Sequence, residues 1–263
     1  MPRPCAVGLW LVECASFRHS AESAAMTARS RSIVSRQTGP HEDLARRVTR
    51  ALEHPLRKPL AEHTREAFAR ARDWRERRDG ASLILDAGCG VGLSTRRLAE
   101  QFPSAAVIGI DRSADRLSRD HGRLPDNALL VRADLVDFWR LALAEGWRPA
   151  RHYLLYPNPY PKAAHLKMRW QGHPVLPVIL ALGGRLELRS NWRLYVEEFA
   201  LAVTQVTARA AEAEPFVPGE ACLTPFEQKY HASGQALWRL VVELPHAPGL
   251  VPGEALPAAG EER

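Results

Sequence analysis

Apolar positions change their period once along the chain. Over residues 42–53 and again over 60–78 they recur at helical spacing, and in the second stretch Leu60, Thr64, Ala67, Phe68, Ala71 and Trp74 fall on one face before Asp79-Gly80 stops it. Beyond residue 80, short apolar runs alternate with amphipathic segments, the pattern of a parallel sheet with crossover helices. Residues 82–85, 106–110, 128–131, 153–156 and 185–188 predict strands. Residues 93–102, 113–120, 136–145 and 192–210 predict helices, the last with the stripe Trp192, Tyr195, Phe199, Ala202 and Val206. After residue 212 the chain is Pro-rich, and 226–230 with 236–244 predict a closing pair of strands. The expected architecture is α/β, a mostly parallel seven-stranded sheet with helices on both faces. Four parts are expected: a basic extension over 1–40 without a core of its own, a helical segment over 41–80, the sheet domain over 81–244 and a Pro-, Gly- and Ala-rich tail over 245–263.

A chain of 263 residues, 46% hydrophobic and 25% charged, can bury one such core with peripheral helices. No run approaches the roughly 20 uncharged apolar residues of a membrane span, so no membrane association is expected. The apolar run 6–12 ends at Glu13 and is short for a signal peptide; Met26 is an alternative start. Cys5, Cys14, Cys89 and Cys222 show no metal-type spacing and Cys89 lies in a glycine loop, which points to a reducing cytoplasm and no metal. His54, His63 and His231 stand alone and read as surface or capping residues. The net charge of +6 is informative once located. Residues 1–80 carry sixteen Lys and Arg against ten Asp and Glu, the whole of the excess. Between Glu145 and Glu187 there is no acid, while Arg148, Arg151, Lys162, Lys167, Arg169 and Arg185 occur. A basic stretch of this kind suits a phosphate-rich partner, or is a solvated surface.

The strongest motif is LILDAGCGVG: a buried strand, Asp86, then Gly88, Gly90 and Gly92, followed directly by a helix. Such glycines permit a tight turn at positive φ and close approach of backbone to a ligand. A dinucleotide fingerprint wants its third glycine at 93, which is Leu93; G-x-G-x-G with an acid two residues before it resembles the class I methyltransferase motif. Asp111 ends the second strand 23 residues beyond Gly88, where a carboxylate accepts from both ribose hydroxyls. Asp134 follows the third strand, as an adenine contact or as a helix N-cap.

After the fourth strand comes YPNPYPKAAHLKMRW, residues 156–170, whose Pro157, Pro159 and Pro161 stiffen the exit and present Asn158 at the sheet edge where α/β ligands bind. This loop resembles the P-D-P-W-x-K-x-x-H-x-K-R signature of the tRNA (guanine-N7)-methyltransferases. RSIVSRQ (31–37), SNWRLYVEEF (190–199) and TPFEQK (224–229) resemble other segments of that family, in the same order, so the similarity spans most of 31–244. The resemblance implies a Rossmann-like class I methyltransferase fold, S-adenosyl-L-methionine as cofactor and tRNA as partner. It implies that Gly88, Gly90, Asp111 and Asp134 hold the cofactor, with Asp86 and Gly92 of the same loop, and that Thr224 and Glu227 close over its methionine end. It places Lys162, Lys167 and Arg169 on the RNA, and Asn158, His165 and Asn191 at the reacting base. The protein is expected to be a cytoplasmic monomer.

Three departures bear on the chemistry. Asn158 and Asn191 stand where the family has Asp, and Met168 replaces an arginine of the basic run. Guanine N7 attacks a sulfonium methyl through an in-plane lone pair with no proton to remove, so catalysis rests on alignment and electrostatics. The two amides keep the shape and remove two negative charges from a base that gains positive charge. Three readings stand: methylation of a tRNA guanine, methylation of another RNA, small molecule or protein, and a weakly active cofactor- or RNA-binding relative.

Overall fold

The computed structural model describes residues 30–219 and 221–252; the short apolar run, Met26, Cys5, Cys14 and the end of the C-terminal tail lie outside them. Seven strands form one sheet: β1 (Leu83–Ala87), β2 (Ala106–Asp111), β3 (Ala128–Arg132), β4 (Arg151–Leu155), β5 (Gly184–Ser190), β6 (Glu214–Phe216) and β7 (Leu237–Leu244), in the order β3-β2-β1-β4-β5-β7-β6. The first five run parallel. β7 is antiparallel to β5 and to β6. The chain winds outward from β1 through β2 to β3, then returns to the other side of β1 at β4. That reversal opens a crevice beyond the carboxyl ends of the strands.

The central strands β1 and β2 are buried at every position because both faces of the sheet are covered. Leu83 and Leu85 of β1 enter one core cluster, and Ile84 between them enters the other. The larger cluster takes in α1 (Leu44–Glu53), α2 (Glu62–Glu76), α5 (Leu135–Ala144), α6 (Leu176–Ala181) and α7 (Arg193–Thr207), while α3 (Leu93–Gln101) supplies Leu98 and Ala99 to the smaller. Thr64, Ala67, Phe68 and Ala71 are the buried face of α2, as its spacing predicts. Phe68 meets Phe138 and Trp147 at ring separations of 5.2 and 4.8 Å, which fastens α2 onto α5; truncating Phe68 to Ala is worth about 3–5 kcal/mol by the usual cost of such deletions.

Three expectations are corrected and one element is new. Residues 226–230 are not a strand; they lie in α8 (Pro225–Ala232), because Thr224 accepts from the Glu227 amide, Pro225 occupies the first turn, and the Glu227 carboxylate accepts from the Leu223 amide. The partner of β7 is instead β6, three residues inside the Pro-rich stretch. The helix predicted over 113–120 is only α4 (Ala114–Leu117), none of whose residues is buried. Finally, α6 was not predicted: all six of its residues are buried, so it has no polar face to give a helical period. Among the described residues no helix is long and apolar enough to cross a membrane, and no group of three His, Cys, Asp or Glu is placed to hold a metal.

Candidate functional site

The β1–α3 turn is built by its glycines. Gly88, Gly90 and Gly92 have φ of 81°, 60° and 77°, and the amides of Gly88 and Cys89 donate to the Ile110 carbonyl, locking the loop to the end of β2. A Cβ placed on Gly90 would meet nothing within 4 Å, so the backbone is open to the crevice there. At Gly92 a Cβ would come within 2.8 Å of Leu130, so packing as well as its positive φ requires glycine there. Asp86 anchors the loop from below. Its carboxylate is buried and accepts from Ser94 Oγ at 2.6 Å and Thr95 Oγ1 at 2.7 Å, tying the strand to the first turn of α3. Burial pushes its pKa up to about 6, against the two hydroxyls, which lower it.

Asp111 stands at the tip of β2 with Oδ2 accepting from the Gly90 amide at 3.0 Å and Oδ1 from the Ser113 amide at 2.8 Å. Each oxygen retains a lone pair for a ligand hydroxyl. Asp134 caps α5 by accepting from the Asp137 amide, and Lys58 bridges it to the buried Asp137 at 2.9 and 3.0 Å. Burial raises its carboxyl, but Lys58 and the Asp137 amide prevail and hold it below the ordinary value. Thr224 and Glu227 are buried at the α8 cap rather than open to the crevice, and Glu227 is paired with Arg189 at 2.9 Å. Arg189 in turn holds Glu187 at 2.7 Å.

The loop after β4 leaves the sheet with left-handed backbone at two non-glycine residues, Tyr156 (φ 52°) and Tyr160 (φ 43°), a strained exit of the kind found at binding sites. Asn158 is exposed and its Oδ1 accepts from the Tyr160 amide. Lys162 and Lys167 are exposed, and His165 packs edge-on to Tyr160 within a 3-10 turn, Ala163–Met168. Arg169 was expected on the RNA and is instead fully buried. It pairs with Glu198 at 2.7 Å, with both side chains 0% exposed, donates to the carbonyls of Tyr160 and Lys162, and stacks on Trp192. Asn191, at the end of β5, donates to Gln235 at 2.8 Å.

Residues 30–41 form a strap across this edge. Ser30 is bonded to Ser233 and Gln235, Ser35 Oγ donates to the Pro161 carbonyl, and Gln37 and the His41 amide reach Glu198. Arg31 and Arg36 on the strap are exposed. The sequence reading missed Glu198, Gln235 and Lys58. Glu198 had a signal, a charge three residues after Tyr195 on the apolar stripe of α7, where a carboxylate needs a partner. Gln235 and Lys58 lie in turns and had none.

A family model described as "Putative methyltransferase" matches residues 80–240. Among curated relatives, a tRNA (guanine-N(7)-)-methyltransferase of Escherichia coli is 26% identical over 174 residues, 62% of this chain and 72% of the relative. The protein of the same name from Treponema pallidum is 29% identical over 171 residues, 61% and 66% of the two chains. Among solved structures, the 16S rRNA methyltransferase KamB aligns at a TM-score of 0.47 and 18% identity over 71% of this chain and 95% of its own.

Proposed function

The chain belongs to the methyltransferase family whose model spans residues 80–240, and from that premise we propose that it transfers a methyl group from S-adenosyl-L-methionine to N7 of a guanine in tRNA. The observation that carries the reading is the meeting, at one sheet edge, of an open glycine turn with Asp111 bonded to it and a stiff, basic loop bearing Asn158, Lys162 and Lys167. The relatives' names give the acceptor: tRNA guanine N7.

The residues suit the cofactor. The backbone at Gly90 is open to the crevice, and Asp111 and Asp134 sit at the tips of β2 and β3, where a ribose and an adenine would find acceptors. Bound there, the cofactor supplies an electrophilic methyl group. The protein's part is to hold, orient and exclude. The Pro-rich loop holds Asn158 beyond the end of β4, the strand beside β1 and its glycine turn, while exposed Lys162, Lys167, Arg31 and Arg36 draw in the phosphates. No general base is needed for N7. Asn158 and Asn191 are assigned to the base edge as neutral acceptors. Charge-assisted hydrogen bonds run roughly twice as strong as neutral ones, so alignment carries more of the rate here than with carboxylates at these positions.

The test is methyl transfer from labelled cofactor to unmodified bulk tRNA, with nucleoside analysis of the product. 7-Methylguanosine is expected. A different methylated nucleoside reassigns the acceptor, and cofactor binding without transfer to any RNA supports the binding-protein reading, which the two amides favour.

A further inference from the structure

The strap reaches Asn191 through a single side chain. Gln235 Nε2 donates to the Ser30 carbonyl at 2.8 Å, and Gln235 Oε1 accepts from Asn191 Nδ2 at 2.8 Å. The two ends of an amide are told apart only by their partners, and here the partners decide. A carbonyl oxygen can only accept, so the atom facing Ser30 is the nitrogen of Gln235. Its oxygen then faces Asn191, whose nearer atom must be the donor. Asn191 Oδ1 is left pointing away from Gln235, and among the described residues none donates to it. Ser30 is itself held, its amide donating to Ser233 Oγ, and Ser233 to the Lys229 carbonyl. Ser30, Ile33, Asn191, Arg193, Gln235 and Trp238 line a cavity of about 550 Å³ beside the strap.

Resting on the reading that Asn191 meets the target base, we propose that Gln235 is a positioning residue that couples strap docking to the orientation of the Asn191 amide. With the strap docked, Asn191 presents a free acceptor. With it released, Gln235 loses the contact that fixes its own orientation, and both amides are free to turn. The arrangement also accounts for the amide at 191. A carboxylate there would accept only, so Gln235 would turn its nitrogen toward 191 and set its oxygen against the Ser30 carbonyl. An aspartate at 191 therefore costs one of the two hydrogen bonds of Gln235, either that to residue 191 or that to the Ser30 carbonyl, while residue 235 is glutamine.

The full-length protein tests this through tryptic cleavage after Arg31 and Arg36, which requires the strap to lift. Loss of one ordinary hydrogen bond raises local opening about fivefold, so Asn191→Asp and Gln235→Ala should each speed early cleavage by about that factor, with binding of S-adenosylhomocysteine intact. The double variant Asn191→Asp/Gln235→Lys should return to the wild-type rate, because an ammonium donates to both the carboxylate and the Ser30 carbonyl. In methyl transfer, Gln235→Ala should change KM for tRNA while KM for the cofactor holds. Wild-type cleavage of Asn191→Asp, or a double variant cleaved as fast as the single one, overturns the coupling. If Asn191→Asp no longer binds S-adenosylhomocysteine, Gln235→Ala decides alone. Should the wild-type protein transfer nothing to tRNA, the acceptor assignment falls while the cleavage results still judge the coupling.

Discussion

Replacing Glu198 with alanine removes the acceptor on which loop, strap and α7 converge. Glu198 Oε2 accepts from Arg169 at 2.7 Å and from Gln171 at 3.0 Å, while Oε1 accepts from the His41 amide at 3.0 Å and from the Gln37 side chain. Both charged side chains are 0% exposed, so the variant leaves a guanidinium with no counter-charge in the interior. Breaking a buried pair this way costs about 3–5 kcal/mol. Arg169 keeps the Tyr160 and Lys162 carbonyls and Gln37 Oε1 as acceptors, which favours the lower end, about 3 kcal/mol. For a chain of this size that lowers Tm by about 6–12 °C. The measurement is urea and thermal unfolding of wild type, Glu198→Ala, Arg169→Met and the double variant Arg169→Met/Glu198→Leu. The double variant should lose less than the sum of the single losses by about 2 kcal/mol, because it leaves no lone charge. A loss under about 1 kcal/mol for Glu198→Ala, or single losses that simply add, would refute the claim that the pair is one buried unit.

Asp111→Ala should weaken S-adenosylhomocysteine binding by about a hundredfold or more, the effect of losing charge-assisted hydrogen bonds together with the Gly90 anchor; calorimetry giving an unchanged Kd would remove Asp111 from the site. Asp86 makes stability depend on pH. Its folded pKa of about 6 lies above the ordinary 3.8, so the folded state binds the proton more tightly, and stability falls as pH rises from about 4 to about 6, by up to about 3 kcal/mol. Urea unfolding at pH 4, 5, 6 and 7 should show this slope in wild type and lose it in Asp86→Asn; parallel profiles would contradict it. Lys162→Ala/Lys167→Ala should lower the slope of log K for tRNA against log salt by about 2, and an unchanged slope would take these lysines off the phosphates.

What the sequence revealed and what it hid divide along physical lines. The first strands were legible as short apolar runs bounded by turn residues, β5 as the alternation of Arg185, Glu187 and Arg189 with Leu186 and Leu188, and α2 because one face repeats every three to four positions. The α8 segment was misread because Phe226–Tyr230 is short and has an aromatic residue of strand-forming type at each end, while the signals that decide it, Thr224, Pro225 and Glu227, act through the backbone at the helix start. At the site, the glycine loop and Asp111 were readable because a positive φ and a strand-end carboxylate leave fixed spacings. The strap was not. Its contacts join residues 30–41 to positions more than 120 residues away, and nothing in local spacing records them. Arg169 shows the sharper failure. A basic run names its cations as surface charge, but one member, next to Trp170 and facing Glu198, has been turned inward to hold the loop that the others decorate.

That inward turn changes the electrostatics of the crevice. Glu198 is matched by Arg169, Glu187 and Glu227 share Arg189, and Asp134 is held by Lys58. These four carboxylates are thus already answered by cations, and Asn158 and Asn191 add none. Exposed Lys162, Lys167, Arg31 and Arg36 leave the rim positive, while Arg193 is paired with Glu197 at 2.6 Å. Such a rim attracts RNA and opposes the positive charge that a guanine acquires on methylation at N7. In the proposed reaction, binding and chemistry therefore pull on the same charges in opposite directions, and Asn158→Asp tests which one limits the enzyme. A carboxylate at 158 should raise kcat, by lending the base a counter-charge, and should also raise KM for tRNA, by opposing the phosphates. If both constants fall together, Asn158 is fitted to the base by shape and hydrogen bonding, and its missing charge is not what limits the step.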